Sequence, residues 1–245
     1  MAEVVRLDNA EAVAQETARR WVMLANQAVA ERGMFTIALS GGSTPRTVYS
    51  MMAADPWRGQ APWQDTYVFF GDERRVHHSD PESNYRMARE TLLDHVPIPP
   101  NQVFPMPGEG LLKTAMLDYK KELRKVFKPG FKEFPRFDFV LLGMGEDAHI
   151  ASIFPGTRAV SEGSEMVLAY LVPQMNVERM TLTLPVINNA LQIVVQVVGQ
   201  HKADALAKVL EGDYRPSTYP AQALEPVDGQ LIWLVDQAAA SKLTR

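Results

Sequence analysis

Short apolar runs alternate with amphipathic segments along almost the whole chain, and this alternation limits the possible folds more than any other feature. MFTIALS, FDFVLLG and IVVQVVG are nearly all apolar, whereas the segments between such runs repeat apolar residues at helical spacing. Strands that are apolar on both faces are typical of parallel sheets covered on both sides. The alternation therefore predicts a doubly wound α/β fold, a mostly parallel sheet with helices on both faces.

The segment before the first of these apolar runs has the marks of a long amphipathic helix. Asp8 stands where an N-cap is expected and Gly33 where a helix would end, and between them apolar residues recur at helical spacing. No internal repeat, low-complexity segment or long linker interrupts the alternation that follows. We therefore expect a single domain over residues 1–245.

Composition excludes several classes of function. The formal net charge is -4 and the basic residues are scattered, so nucleic acid is not an expected partner. The chain has no cysteine, which excludes disulfides, thiolate catalysis and cysteine-based zinc sites. The first residues do not resemble a signal peptide, and no apolar run approaches the roughly 18 residues of a membrane span. We therefore expect a cytoplasmic protein without membrane contact.

In a doubly wound sheet, ligands bind beyond the carboxyl ends of the strands. Four loops follow predicted strands: SGGSTPR, GDERRVHHSDPESNY, GMGEDAHIASIFPG and VGQHKAD. We therefore expect the functional residues to lie in these four loops.

The first loop has the composition of a phosphate site. Its glycines allow backbone N–H groups to approach a ligand, its hydroxyls add donors, and a helix follows at once. A capped turn without a ligand is the alternative. The loop lacks the lysine of a Walker motif and the spacing of GxGxxG, which disfavours ATP and NAD. The candidate phosphate-binding residues are Ser40, Gly41, Gly42, Ser43 and Thr44.

The second loop offers charged residues and a histidine pair. Asp72, Glu73 and Arg74 follow a buried strand and are candidates to orient a substrate, although such clusters are usually solvated salt bridges. His77 and His78 lack a further ligand at metal-site spacing, so we interpret them as surface residues. No metal site is predicted.

The third loop contains a candidate general base. His149 lies two residues after Asp147 in a glycine-containing turn that follows the strand FDFVLLG. A general base needs a group that titrates near neutral pH and a neighbour that fixes its tautomer. The pair meets both needs, although a lone histidine after a strand is more often structural.

Several motifs in order carry a family resemblance from about Leu39 to Ala240. They are SGGSTP with a following tyrosine, GDERRV, DPESNYRMARETLL, GMGEDAHIASIFPG, RMTLTLPVINNA, VGQHKADALAKVLEG and WLVDQAAA, and together they resemble the 6-phosphogluconolactonase family. The resemblance implies a fold related to glucosamine-6-phosphate deaminase and ribose-5-phosphate isomerase. It also implies metal-independent, cofactor-free hydrolysis of 6-phosphoglucono-1,5-lactone, the second step of the oxidative pentose phosphate pathway.

The resemblance also assigns roles to individual residues. The family's general base falls on His149 with Asp147 beside it, and the arginine of its DER motif falls on Arg74, a candidate to steer the lactone or its oxyanion. Arg179, Lys202 and the loop from Ser40 to Thr44 would contact phosphate or substrate, and Asp72 is added as a substrate contact. If His149 is not the base, Asp72 and Glu73 are the next candidates.

Two residues beside the proposed base depart from the family's DGHTASLFPG pattern. Ala148 replaces a glycine, and if this position needs a positive φ, alanine destabilises the loop by about 1 kcal/mol. Ile150 replaces a threonine, whose hydroxyl would otherwise reach substrate or water, and Ser152 is a partial substitute. Restoring Gly and Thr is expected to be neutral or beneficial.

Two other functions stay open at this stage. A deaminase or isomerase of amino-sugar phosphates has the same fold, but its third catalytic group, a glutamate, falls on Phe154. A non-catalytic sugar-phosphate sensor is the other alternative, although the residues ahead of Phe35 predict only one strand and one helix and no DNA-binding motif. The expected partner is a small phosphorylated sugar lactone, and the expected assembly is a monomer or a small homo-oligomer.

Overall fold

The computed structural model describes residues 2–130 and 132–244. The strands are β1 (Glu3–Leu7), β2 (Phe35–Leu39), β3 (Thr66–Phe70), β4 (Asp72–Arg74), β5 (Phe139–Gly143), β6 (Val167–Val172), β7 (Val177–Leu182), β8 (Gln192–Val197) and β9 (Gln230–Asp236). The helices are α1 (Ala10–Arg32), α2 (Ser43–Met52), α3 (Trp57–Gln60), α4 (Asn84–Thr91), α5 (Leu112–Phe127), α6 (Leu184–Asn188) and α7 (Ala203–Glu211).

Six strands form one parallel sheet in the order β1-β9-β8-β5-β2-β3. Every residue of β2 and β8 is buried, as expected for strands covered on both faces. The predicted α/β class with a mostly parallel sheet is therefore confirmed.

The sheet order contains a topological switch point between β2 and β5. From β2 the chain continues outward to β3, whereas from β5 it continues in the opposite direction through β8 to β9. The loops that follow β2 and β5 therefore separate, which leaves a crevice at the carboxyl ends of the two strands.

A second, antiparallel sheet has the order β4-β7-β6 and was not predicted. The sequence favoured a polar loop after β3, but Asp72–Arg74 is a strand that pairs with β7. Gly71 marks the transition, because its N–H donates to the Leu39 carbonyl at 2.7 Å while its own carbonyl accepts from the Leu182 N–H at 2.8 Å. One residue thus joins the two sheets beside the crevice.

Helix α1 begins one residue later than predicted. Asn9 is the N-cap, and its side chain accepts a hydrogen bond from the Ala12 N–H at 3.0 Å, so the expectation of Asp8 was wrong. Gly33 ends the helix in the left-handed conformation, with a φ of 75°, as the sequence predicted. Within residues 2–130 and 132–244, none of the helices is long and apolar enough to cross a membrane.

Candidate active site

The predicted site residues meet at the crevice. Two adjoining pockets share Asp72, Arg74, His149 and Lys202 in their linings. The loop after β2, from Ser40 to Thr44, lines the first pocket, and Asp147 and Arg179 line the second. Loops that lie far apart in the sequence are therefore brought to one place by the carboxyl ends of β2, β5 and β8 and by the antiparallel sheet.

His149 is held by the carboxylate two residues before it. Its Nδ1 lies 2.6 Å from Asp147 Oδ1, and its backbone N–H donates to the same oxygen at 3.1 Å. The ring lies against Phe154 with a centroid distance of 4.4 Å, and its side chain is 32% exposed. A carboxylate at Nδ1 places the proton there, so Nε2 remains as an acceptor at the pocket.

Asp147 is suited to this orienting contact. Burial alone would raise the pKa of Asp147, but the hydrogen bonds from His149 and the charge of its ring outweigh burial and lower the pKa. The carboxyl group therefore stays ionised at neutral pH and keeps accepting from Nδ1.

The turn that carries the pair is tight and strained. A Cβ at Gly145 would lie 2.1 Å from His149 Nδ1, so only glycine leaves space for the imidazole. Ala148 and Ala151 have φ values of 63° and 46°, in the region that favours glycine. The positive φ considered at position 148 is therefore present, and strained backbone stands on either side of His149 and Ile150.

The expectation for Ile150 was wrong. Its side chain is fully buried in the apolar core, so a threonine hydroxyl at this position would not reach the pocket. Ser152 is in the lining of the second pocket, where its hydroxyl donates to Asp72 Oδ2 at 2.7 Å and the residue is 1% exposed.

A buried tyrosine fixes the backbone at the start of the loop after β2. The Tyr49 hydroxyl accepts from the Ser40 N–H at 2.9 Å and donates to the Ser40 carbonyl at 2.7 Å. Burial raises the pKa of this phenol, so it stays a hydroxyl. Gly42 has a φ of 103°, and α2 begins at Ser43 without a side-chain cap. The first N–H groups of α2 are therefore not occupied by a cap at the pocket.

Three cationic side chains line the two pockets. Arg74 and Arg179 are directly opposite residues of the β4–β7 ladder, and Lys202 comes from the turn after β8. Over residues 2–130 and 132–244, none of the three has a carboxylate within 4 Å. Asp72, Glu146 and Asp147 line the same pockets, but none of them is in ion-pair contact with the three cations, which can therefore contact an anionic ligand.

Burial acts on two of these cations. It lowers the pKa of Arg179, and the neighbouring charge of Arg74 lowers it further. Burial also lowers the pKa of Lys202, against the opposing charges of Glu146 and Asp236. Both groups are therefore partly stripped of water, a state in which they bind anions more strongly than exposed cations do.

Glu73 has a structural role that sequence reasoning missed. It is fully buried, and its two carboxylate oxygens accept four hydrogen bonds, from the backbone of Arg74, Asn84 and Tyr85 and from the Ser83 hydroxyl, at 2.7 to 3.1 Å. These bonds fix the start of α4. Glu73 therefore has no free acceptor for a proton from water, and its place as a reserve general base was wrong.

The histidine pair of the second loop lies outside the pockets. His77 is exposed and contacts the Ser79 hydroxyl, and His78 contacts the Met106 carbonyl. In the part of the chain that the structure describes, no group of three or more His, Cys, Asp or Glu side chains is arranged to hold a metal ion.

Comparisons with known proteins agree with this geometry. Residues 8–233 match the family described as glucosamine-6-phosphate isomerases/6-phosphogluconolactonase. The chain is 41% identical to a 6-phosphogluconolactonase from Synechocystis sp., over 89% of this chain and 88% of the relative. It is 38% identical to a 6-phosphogluconolactonase from Nostoc sp., with the same coverage.

Solved structures give the same result. The 6-phosphogluconolactonase of Trypanosoma brucei superposes with a TM-score of 0.88 at 27% identity, over 100% of this chain and 99% of that one. A monomeric glucosamine-6-phosphate deaminase superposes with a TM-score of 0.80 at 22% identity, over 98% of this chain and 99% of that one, a likeness of fold alone.

Proposed function

Because this chain belongs to the family of glucosamine-6-phosphate isomerases and 6-phosphogluconolactonases, we propose that it hydrolyses 6-phospho-D-glucono-1,5-lactone to 6-phospho-D-gluconate with His149 as general base. The chain is a lactone hydrolase. One observation carries the proposed mechanism: an imidazole whose Nδ1 is held by an ionised carboxylate stands in a pocket that Arg74, Arg179 and Lys202 also line.

The chemical step needs only a positioned water. His149 Nε2 takes a proton from water as the water oxygen forms a bond to the lactone carbonyl carbon C1, while Asp147 stabilises the resulting imidazolium through Nδ1. The C1 to ring-oxygen bond then breaks, and the imidazolium returns the proton to that oxygen. Arg74 stabilises the negative charge that develops on the carbonyl oxygen.

The phosphate anchors the substrate at a distance from the reacting carbon. The loop from Ser40 to Thr44 contributes N–H groups and hydroxyls, and Lys202 and Arg179 contribute positive charge that burial makes more effective. Holding the phosphate fixes the position of C1 relative to His149, which converts binding energy into orientation.

The reaction proceeds without a metal or cofactor in this proposal. A δ-lactone is an activated ester, so general-base catalysis and oxyanion stabilisation are sufficient for its hydrolysis. Location in the cytoplasm and assembly as a monomer or small homo-oligomer, both expected from the sequence, stay predictions.

The deaminase alternative is not favoured by any contact in the site. The position of its third catalytic group holds Phe154, whose ring packs against His149 and supplies no carboxylate. A hydrophobic ring there excludes water from one face of the imidazole but transfers no proton.

Acid release from freshly prepared 6-phosphoglucono-1,5-lactone, measured above the spontaneous background, tests the function directly. We expect rapid hydrolysis that exhaustive chelation does not change, and a much lower kcat/KM for glucono-1,5-lactone, which lacks the phosphate. No rate above background would refute the catalytic proposal and favour a sensor. Equal turnover of the two lactones would refute the phosphate assignment, and loss of rate on chelation would reveal a metal.

A further inference from the structure

Asp72 is a buried carboxylate whose hydrogen-bond partners are neutral. It is 7% exposed, and no cationic group lies within 4 Å of it in the part of the chain that the structure describes. Its contacts are the Ser152 hydroxyl at 2.7 Å and the Asn84 amide nitrogen at 3.3 Å. Arg179 interacts electrostatically with this carboxylate without contacting it. The carboxylate oxygens therefore keep acceptor capacity beyond these two hydrogen bonds, and their position at the pocket points to a role toward a ligand.

Asn84 has a fixed orientation. Its Nδ2 donates to the Asp72 carbonyl at 2.9 Å as well as to the carboxylate, which turns the amide oxygen away from Asp72. No donor from residues 2–130 and 132–244 bonds that Oδ1, and Asn84 lines the first pocket. The amide is a second acceptor at this wall.

Gly41 shows where that acceptor lies. A Cβ on Gly41 would lie 1.9 Å from Asn84 Oδ1, so the amide packs directly against the phosphate loop. Asp72, next to Asn84, lines both pockets together with His149. The two acceptors therefore stand between the loop proposed for the phosphate and the proposed base.

We propose that Asp72 and Asn84 accept hydrogen bonds from ring hydroxyl groups of the substrate, and that Ser152 is a positioning residue for Asp72. This inference rests on the proposed function for the identity of the ligand. The C2, C3 and C4 hydroxyls lie between the phosphate and the reacting carbon, and they are donors. The cations, hydroxyls and N–H groups elsewhere in the pockets instead suit the phosphate and carbonyl oxygens.

Calorimetry with a stable cyclic ligand separates this role from catalysis. The probes are 1,5-anhydro-D-glucitol 6-phosphate, its 2-, 3- and 4-deoxy derivatives, and inorganic phosphate. We expect wild type to bind at least one deoxy derivative about 10- to 100-fold more weakly than the parent, because a hydroxyl bound to a charged or buried acceptor contributes on that scale.

Variants then assign the lost contact. Asn84→Leu, with a side chain of similar shape, and Ser152→Ala are expected to weaken binding of the parent compound. For the deoxy derivative that wild type binds more weakly, and for inorganic phosphate, the Kd of each variant is expected to stay within about twofold of the wild-type Kd. Arg89→Ala, on the exposed side of α4, is the control and is expected to bind all probes as wild type does. Thermal melts report folding, and Asn84→Ser replaces the leucine variant if that variant does not fold.

Two results would overturn the inference. One is wild-type protein that binds the parent and all three deoxy derivatives equally. The other is an Asn84 or Ser152 variant that loses the same factor for every probe, phosphate included, which would mean a structural role only. If the protein binds the parent more tightly than a deoxy derivative but hydrolyses no lactone, the proposed function is refuted and the hydroxyl contacts are supported.

Discussion

Arg74 and Arg179 lie directly opposite each other in the antiparallel β4–β7 ladder, and neither has an acidic partner within 4 Å in the part of the chain that the structure describes. Like charges at facing positions destabilise a sheet. Repulsion within the pair therefore opposes folding of the unliganded protein, in part against the attraction of Asp72, Glu82 and Glu73 for Arg179, and an anionic ligand beside Arg179 would offset it.

Arg179→Met is expected to stabilise the free protein and weaken ligand binding. The substitution keeps much of the side-chain volume and removes a charge whose pKa burial already lowers, so we expect a gain of about 0.5–1 kcal/mol at low salt. Thermal melts with and without 6-phosphogluconate measure both effects. Arg58→Met, at an exposed ion pair, is the control. A lower melting temperature for unliganded Arg179→Met would contradict the repulsion argument.

His149→Ala is expected to lower kcat by about 10²- to 10⁴-fold, the usual contribution of a positioned general base, with little change in melting temperature. Asp147→Asn is expected to slow turnover by less, because the imidazole remains but its orienting charge is lost. Stopped-flow acid release on the phosphorylated lactone measures both rates, and His77→Ala is a surface control. Near-normal kcat for His149→Ala would mean that the base lies elsewhere.

Gly145→Ala tests the space reserved for the imidazole. The added methyl would lie 2.1 Å from His149 Nδ1 and 2.7 Å from Asp147 Oδ1, so the pair must separate and kcat is expected to fall at least tenfold. Gly163→Ala is the control, because a Cβ there meets nothing within 4 Å and the residue is exposed and lies outside both pockets. Equal kcat for the two variants would show that the contact between Asp147 and Nδ1 is dispensable.

Anion binding is expected to weaken at alkaline pH. Lys202 must be protonated to hold phosphate, and burial lowers its pKa below the ordinary value of 10.5. Affinity for 6-phosphogluconate should therefore fall as pH rises through that lowered pKa, by at most about tenfold per pH unit. The buried charge of Lys202 is unfavourable for folding. As pH rises through the lowered pKa, the folded protein loses this charge, and the contribution of Lys202 to stability therefore rises with pH.

Lys202→Arg separates this titration from others. Arginine keeps its charge, so its affinity should stay flat where the wild-type affinity falls. Calorimetry between pH 7 and pH 10 supplies the comparison, since the product does not hydrolyse. The same decline in both proteins would assign the effect to another group.

Ile150→Thr is expected to destabilise the protein by about 1–2 kcal/mol. The side chain is fully buried, so the change deletes apolar volume and buries a hydroxyl. Ala148→Gly should change stability by less than about 1 kcal/mol, because relief of the positive φ is opposed by loss of a buried methyl group and by greater freedom of the unfolded chain. Urea titrations measure both variants. A stabilised Ile150→Thr protein would mean that a buried partner for its hydroxyl exists.

The sequence predicted the parts of this protein that depend on local pattern. The alternation of apolar runs with helical segments was sufficient to predict the parallel sheet, and Gly33 was sufficient to predict where α1 ends. The antiparallel sheet was missed because β4 is three residues long and its pairing with β7 depends on Gly71, a tertiary junction without a local signal.

The candidate site divides in the same way. His149 and the loop from Ser40 were predicted from residue type and position after strands, and Lys202 was predicted from the family resemblance. Asn84 and Glu73 were missed as structural partners because their contacts depend on how α4 packs against β4. The SNY motif that begins α4 was the available signal, and only the fold explains it.

The pairing of β1 with β9 has a consequence for synthesis of the protein. The first strand of the sheet gains its neighbour only when the last strand has been made, and until then β8 also has an open edge. A nascent chain that lacks residues 230–236 therefore exposes the unpaired edge of the largely apolar strand β8, a condition under which chains aggregate or recruit chaperones. Because this pairing joins the two most distant strands in the sequence, it is expected to form late in folding, after the segment that carries His149 has been synthesised.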